Sequence, residues 1–328
     1  MGNMPKISIV IPIFNEEEYI AKCLDSIIES DYDKNNMEVL LIDGGSTDKT
    51  VKIIHEYQQK YPLFRLLNNP NKTVPFAMNI GIKAACGEYI VRLDAHAVYP
   101  EDYFSKLIDY HQELQADNIG GVVVTAVKHK NSVSTAIKNV LSDRLGVGST
   151  FRSGVKKIKE VDTVPFGCYK KSVFDKIGLY NERLARNQDI EFNKRLKKAG
   201  GKIFIVPDIE ATYYARENFK ALAKNNFENG RWNMLTAYYT NSFSSLSVRH
   251  YVPLVFVLSI VLPLFCCYLF SLVILFFYVS VITVRSFQIK HDTTIYYQIA
   301  AFVILHFAYA FGEIVGIMQV IKEAIKGH

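Results

Sequence analysis

The sequence predicts an α/β domain built on a mostly parallel sheet, followed by C-terminal transmembrane helices. Three observations lead there. Strand-like and helix-like patterns alternate through the first 130 residues, as in successive βαβ units. The strand-like runs are continuously apolar rather than alternating, which is the mark of strands covered on both faces. From Tyr251 to Val284 there is no Asp, Glu, Lys or Arg, whereas the first 250 residues carry charge at ordinary density.

ISIVIPIF (7 to 14) reads as the first strand, and Asn15 as the cap of a helix EEEYIAKCLDSIIE with acids in its first turn. MEVLLID (37 to 43) is the second strand, followed by a Gly-Gly-Ser-Thr turn and the helix DKTVKIIHEYQQ. FRLLNN, a helix from Pro75 to Ala85, and EYIVRLD are the next three elements. The middle of the chain is less regular: GGVVVTAV reads as a strand, VPFGCY as a short extended piece, and DIEFNKRLKKAGGKIFIVP as helix, glycine turn and strand. Gly200 and Gly201 fall where a helix C-cap belongs.

Residues 216–250 mix Lys and Arg with Phe, Trp and Tyr, which fits an amphipathic, interfacial connector as well as a solvated helix. The uncharged run that follows would be roughly 50 Å long as one helix, against about 30 Å of hydrocarbon. A tight hairpin of spans at about 251–268 and 270–287 fits better than one steeply tilted span. A third span is expected at 295–321, with Glu313 facing protein or the interface, because a carboxylate in hydrocarbon is costly. MGNMPKISIV shows no secretory cleavage pattern, and Arg249, His250, Arg285 and Lys290 flank the hairpin. These features predict a multi-pass protein of the cell membrane with its large domain in the cytoplasm. The expected division is 1–215, 216–250 and 251–328.

The 328 residues are 49% hydrophobic and 21% charged, with a net charge of +6 that suits anionic lipid. No basic stripe with interleaved aromatics is present, so nucleic acid is not an expected partner. The five cysteines form no CxxC pair, which argues for reduced thiols and against a zinc site.

In parallel sheets ligands bind beyond the carboxyl ends of the strands, and three polar clusters fall there: Pro12 to Asn15, Asp43 to Ser46, and Asp94 to His96. Asp43 can accept hydrogen bonds from a base or ribose if Ser46 or Thr47 caps the next helix and leaves it free. Asp94 and His96, two apart around a turn, can both aim at a divalent cation whose remaining ligands come from a diphosphate. Arg92 would add a fixed positive charge. Asp94 as a turn cap, with His96 incidental, is the plainer reading. In NQDIEF (187 to 192), Asp189 and Glu191 point about 200° apart on a helix, so one of them faces the site. A carboxylate at a helix start is ordinarily a dipole partner.

VIPIFNEEEYI, LLIDGGSTDKT, NIGIKAACGEYIVRLDAHA and NQDIEF, taken together in order, resemble the family-2 glycosyltransferases, inverting enzymes with a GT-A (Rossmann-like) fold. The DAHA variant with an apolar C-terminus resembles the subgroup of succinoglycan-type exopolysaccharide glycosyltransferases. The resemblance covers roughly residues 6 to 215. It implies that Pro12, Asn15, Glu16 and Asp43 hold the nucleotide's base and ribose. Asp94 and His96 stand at the family's D-x-D, which binds Mg²⁺ or Mn²⁺ and the diphosphate, with His96 departing from the second acid. Asp189 matches the catalytic base of the E-D motif, although Gln188 replaces its glutamate. Arg231-Trp232 resembles the end of the Q-x-x-R-W motif of processive synthases, but Glu228 stands where the glutamine would be, and processivity is not inferred.

The expected activity is therefore metal-dependent, inverting transfer from a nucleotide sugar, with UDP preferred on family habit, to a lipid-linked (polyprenyl) saccharide for exopolysaccharide or another surface glycan. A polyprenyl-phosphate sugar synthase is the alternative within enzymes. A non-catalytic membrane scaffold retaining the fold is the alternative outside them.

Overall fold

The computed structural model describes residues 6–146, 151–152, 154–241, 248–289 and 294–326. Lys290, one of the residues flanking the expected hairpin, lies outside them, as do residues 1–5 of the N-terminal segment and 242–247 of the connector. The chain forms two compact units, Met1–Val124 with Thr150–Tyr213, and Thr125–Ser149 with Tyr214–His328.

The first unit carries a mixed sheet. Its parallel half is β3 (Phe64–Asn68), β2 (Met37–Asp43), β1 (Ile7–Ile13) and β4 (Tyr89–Arg92), in that order. Beyond β4 the order continues through β8 (Cys168–Lys170), β6 (Asn118–Ala126), β9 (Ile203–Tyr214) and β5 (Ala97–Val98), with β7 (Lys159–Glu160) also on β9. The pairings β4–β8, β8–β6, β5–β9 and β7–β9 are antiparallel, so the parallel character expected from the sequence holds for half the sheet.

Period-two geometry sends alternate residues of β1 and β2 into two cores. Ile7, Ile9, Ile11, Val39 and Leu41 join one cluster with Ile20, Leu24 and Ile27 of α1 (Ile20–Ile28). Val10, Leu40 and Ile42 join the other with Ala77, Met78 and Ile82 of α3 (Val74–Ala84). Each fully buried methylene is worth about 0.8 kcal/mol, so the register of these strands is fixed by burial on both faces.

His111 of α4 (Tyr103–Leu114) is wholly buried, and its Nε2–H donates to the Cys168 carbonyl at 2.6 Å. Burial holds its pKa down to about 4, against 6.5 unperturbed. Below pH 6.5 the unfolded chain therefore binds a proton that the native chain refuses. Stability should fall as pH drops from 6.5 towards 4, by roughly 3 kcal/mol. Denaturant titrations at both pH values should show this acid loss shrinking in His111→Gln.

The second unit is helical: α5 (Ser132–Leu141), α8 (Phe219–Tyr239), α9 (Val252–Val261), α10 (Tyr268–Gln288) and α11 (Ile295–Ile325). The other α-helices among the described residues, α2 (Thr50–Lys60), α6 (Ser172–Ile177) and α7 (Gln188–Lys198), belong to the first unit. α8 and α11 meet at near backbone contact. A Cβ on Gly312 would lie 1.9 Å from the Phe227 carbonyl, and one on Gly230 1.9 Å from that of Tyr309. Glu313 is fully buried and accepts from Asn233 Nδ2 (3.3 Å), so it faces protein. α5 shares a core with Phe302 and Leu305 of α11. The loop after α5 is held by Asp143 on Arg285 (Nε, 2.9 Å), while His306 Nε2–H donates to the Leu145 carbonyl and Nδ1 accepts from Tyr278.

Two of the three expected spans reach spanning length, Tyr268–Gln288 and Ile295–Ile325. The first apolar helical run, Val252–Phe265, is too short to cross about 30 Å at 1.5 Å per residue. The amides of Cys266 and Cys267 both turn onto the Pro263 carbonyl, which ends the helical run early. α9 and α10 still pack together, with Ser271 Oγ donating to the Ile260 carbonyl.

Candidate functional site

At the carboxyl ends of β1 and β2 the first two loops are joined by main-chain amides. Asn15 N donates to Ser46 Oγ (2.9 Å), Glu16 N to Thr50 Oγ1 (2.7 Å) and Glu17 N to Asp48 Oδ2 (3.1 Å). In return, Thr47 N donates to Asn15 Oδ1 (2.8 Å) and Lys49 N to Glu17 Oε2 (3.0 Å). These bonds correct two local expectations. Asn15, at φ 55°, caps no helix, and α1 begins only at Ile20, because the amides before it are committed to the second loop. Asp48, rather than Ser46 or Thr47, takes the first amide of α2, with Oδ1 3.0 Å from Thr50 N.

Ser46 instead donates its hydroxyl to Asp43 Oδ1 (2.6 Å), and the amides of Gly45 and Ser46 also point at the Asp43 carboxylate. Asp43 is therefore not free. It is oriented by its own turn, which Gly45 makes possible at φ 83°. The Asp43 carbonyl accepts from Asn69 N (2.7 Å), which brings the loop after β3 alongside. Asn69 Oδ1 and Thr73 Oγ1 there are buried without a hydrogen-bond partner among the described residues. The sequence reading passed over this third loop, although its place after a parallel strand was the signal that could have found it. Pro12 pairs in register with Ile42, one residue before Asp43.

β4 delivers the second cluster. The Leu93 amide donates to Val10 O, which sets Asp94 just beyond the sheet. Tyr99 Oη accepts from Asp94 N (3.1 Å) and donates to Asp94 O (3.2 Å), fixing the main chain. The side chain takes Arg92 Nη2 at 3.0 Å, in a pair whose side chains are 14% and 23% exposed. Burial alone would lower the Arg92 pKa. The carboxylate of Asp94, then that of Asp189, more than reverses this. Arg92 thus stands within electrostatic reach of both acids and joins residues nearly a hundred positions apart.

Asp189 lies in the first turn of α7, after Asn187 in the left-handed region. Glu191 is committed elsewhere, paired to Arg195 Nε at 2.6 Å, while Arg195 also donates to the Ile177 and Leu179 carbonyls. Of the two acids, Asp189 is the one within electrostatic reach of Arg92. Gln188 is buried, with Oε1 unpartnered among the described residues. Behind Arg92 stand Tyr169 and Tyr180, which the sequence reading also missed. Tyr180 stacks on Phe192 with ring centroids 4.5 Å apart.

His96 Nδ1 lies 3.0 Å from Glu16 Oε1, and both side chains are 18% exposed. Burial would lower its pKa, but the Glu16 bond and the neighbouring Asp94 raise it to about 10. With Nδ1 committed to Glu16, Nε2 is the ring nitrogen left to face an ion. Among the described residues no group of three or more His, Cys, Asp or Glu could hold a metal. Asp94 offers carboxylate oxygen, one atom of which takes Arg92, and His96 a ring nitrogen, a donor set whose chemistry would suit an ion of the Mn²⁺ type completed by ligand oxygens.

Residues 8–178 match the family model described as glycosyl transferase family 2. The dolichyl N-acetyl-alpha-D-glucosaminyl phosphate 3-beta-D-2,3-diacetamido-2,3-dideoxy-beta-D-glucuronosyltransferase of Methanococcus voltae is 34% identical over 233 residues, covering 68% of this chain and 71% of that protein. The succinoglycan biosynthesis protein ExoA of Rhizobium meliloti is 29% identical over 226 residues, covering 68% and 67%. Among solved structures, the mannosyltransferase PcManGT of Pyrobaculum calidifontis, in complex with GDP-Man and Mn²⁺, superposes with a TM-score of 0.63 at 15% identity, over 93% of this chain and 88% of that one. That last likeness bears on the fold.

Proposed function

The chain belongs to glycosyl transferase family 2, and on that premise we propose that it transfers a sugar from a nucleotide-sugar donor, with inversion, to a lipid-linked saccharide acceptor in exopolysaccharide or other surface-glycan synthesis. The observation that supports this reading is Arg92, paired with Asp94 at 3.0 Å and within electrostatic reach of Asp189, at the edge of the parallel strands where Asp43 also lies.

In this reading Asn15 and Asp43 hold the nucleoside, from loops whose amides already fix them. Asp189 accepts the proton of an acceptor hydroxyl as that oxygen attacks the anomeric carbon in line with the departing nucleoside diphosphate. A single displacement inverts configuration, and no covalent sugar intermediate is needed. Arg92, paired with Asp94 and within electrostatic reach of Asp189, adds a positive charge that offsets the negative charge developing on the departing diphosphate. Mg²⁺ or Mn²⁺ held at Asp94 and His96 would neutralise charge on the leaving diphosphate.

The two helices of spanning length motivate the membrane setting, with the chain anchored in the cell membrane and its first unit in the cytoplasm. A relative named for action on a dolichyl-phosphate sugar supports an acceptor that already carries saccharide.

The test is nucleoside diphosphate release by the full chain in detergent, with Mn²⁺ or Mg²⁺, across a panel of UDP- and GDP-sugars. Polyprenyl-diphosphate saccharide and bare polyprenyl phosphate serve as the two acceptor arms. Release that requires the saccharide-bearing lipid supports the proposal. Transfer to the bare phosphate alone assigns a polyprenyl-phosphate sugar synthase, and no release with any donor removes the activity.

A further inference from the structure

We propose that Glu16 is the positioning residue of the metal site, acting through His96 and not on the nucleoside; this rests on the transfer reaction proposed above. The two side chains come from loops 80 residues apart and meet at 3.0 Å, Oε1 against Nδ1. A carboxylate at Nδ1 holds the proton there and so leaves the Nε2 lone pair for an ion. This is how histidine ligands are set by their outer partners.

The ring has little freedom to leave that pose. Tyr19 packs edge-on at 6.4 Å between centroids and Tyr213 at 5.0 Å, each inclined by 67°. Glu16 is itself anchored by its amide on Thr50 Oγ1 at 2.7 Å, between neighbours that are tied to the same loop.

The arrangement accounts for a histidine where the family pattern has a second acid. A neutral imidazole in that place would halve the negative charge offered to a divalent cation. Glu16, one hydrogen bond behind, restores it through the ring. Asp94 and Glu16 together supply the charge of two carboxylates, while Asp94 and His96 supply the ligand atoms.

The test reads metal binding rather than turnover. Mn²⁺ is titrated into the full chain in detergent with UDP and separately with GDP, and free Mn²⁺ is followed by its EPR signal. Glu16→Ala should weaken Mn²⁺ binding about 10- to 100-fold. Glu16→Gln, which keeps an acceptor for Nδ1–H but not the charge, should fall between. In a His96→Asp background, where the ligand needs no orienting partner, Glu16→Ala should cause no loss.

Wild-type affinity in Glu16→Ala overturns the proposal. An equal loss in both backgrounds does so too, because Glu16 would then act on the fold or on the nucleotide. Calorimetry of UDP and GDP without metal separates the two levels. Nucleotide binding with Mn²⁺ affinity indifferent to Glu16 removes only the positioning role, whereas absence of nucleotide binding removes the proposed function and this role with it.

Discussion

Asp189→Asn should lower kcat/KM for sugar transfer by about 10³-fold, within the range that a positioned general base supplies. The amide keeps the shape of the carboxylate and can still accept from the Ile190 amide, which lies 2.9 Å from Asp189 Oδ1. The start of α7 should therefore stay folded, and nucleoside diphosphate affinity should stay near wild type. Glu191→Gln is the matched control. Its carboxylate is spent on Arg195, so that change should lower the unfolding temperature and leave the chemical step nearly intact. Turnover by Asp189→Asn within tenfold of wild type would remove Asp189 as the base.

Asp94→Asn should cost a similar factor, about 10³ in kcat, by a different route. The removed charge is one that a cation and a departing diphosphate would need, and such electrostatic contributions are worth several kcal/mol. The side chain can still accept from Arg92, so the loss should fall on donor handling rather than on folding. Steady-state kinetics with varied donor and varied Mn²⁺ would show a raised donor KM and a flattened response to metal. A variant that keeps both the wild-type kcat and its metal response would exclude Asp94 as a ligand.

Much of the catalytic unit was legible before any coordinates. The apolar runs ISIVIPI and MEVLLID became the buried parallel strands β1 and β2, and the polar residues after them fell at the predicted strand ends. Helix starts were read less well. The stretch EEEYI looks like a first helical turn, yet the amides of Glu16 and Glu17 find acceptors in Thr50 and Asp48 of the second loop, as that of Asn15 before them does in Ser46. Residues 125–149 follow the same logic. Nothing in their composition distinguishes them from their neighbours, but α5 buries its apolar face against α11 and so belongs with the helices of the second unit.

What the amino-acid order determined by itself is the set of elements, because periodicity reports burial and local preference within a few residues. It likewise determined which acids stand at strand or helix ends, since those positions follow from the elements. The long-range partners of ionisable groups were decided only by tertiary structure: Glu16 for His96, and Asp189 within electrostatic reach of Arg92, whereas Glu191 and Arg195 pair locally at i,i+4 on one helix. Hydrogen bonds and charge interactions act over a few ångströms of space, whatever the separation along the chain. A residue 80 positions away becomes a neighbour only when the loops close.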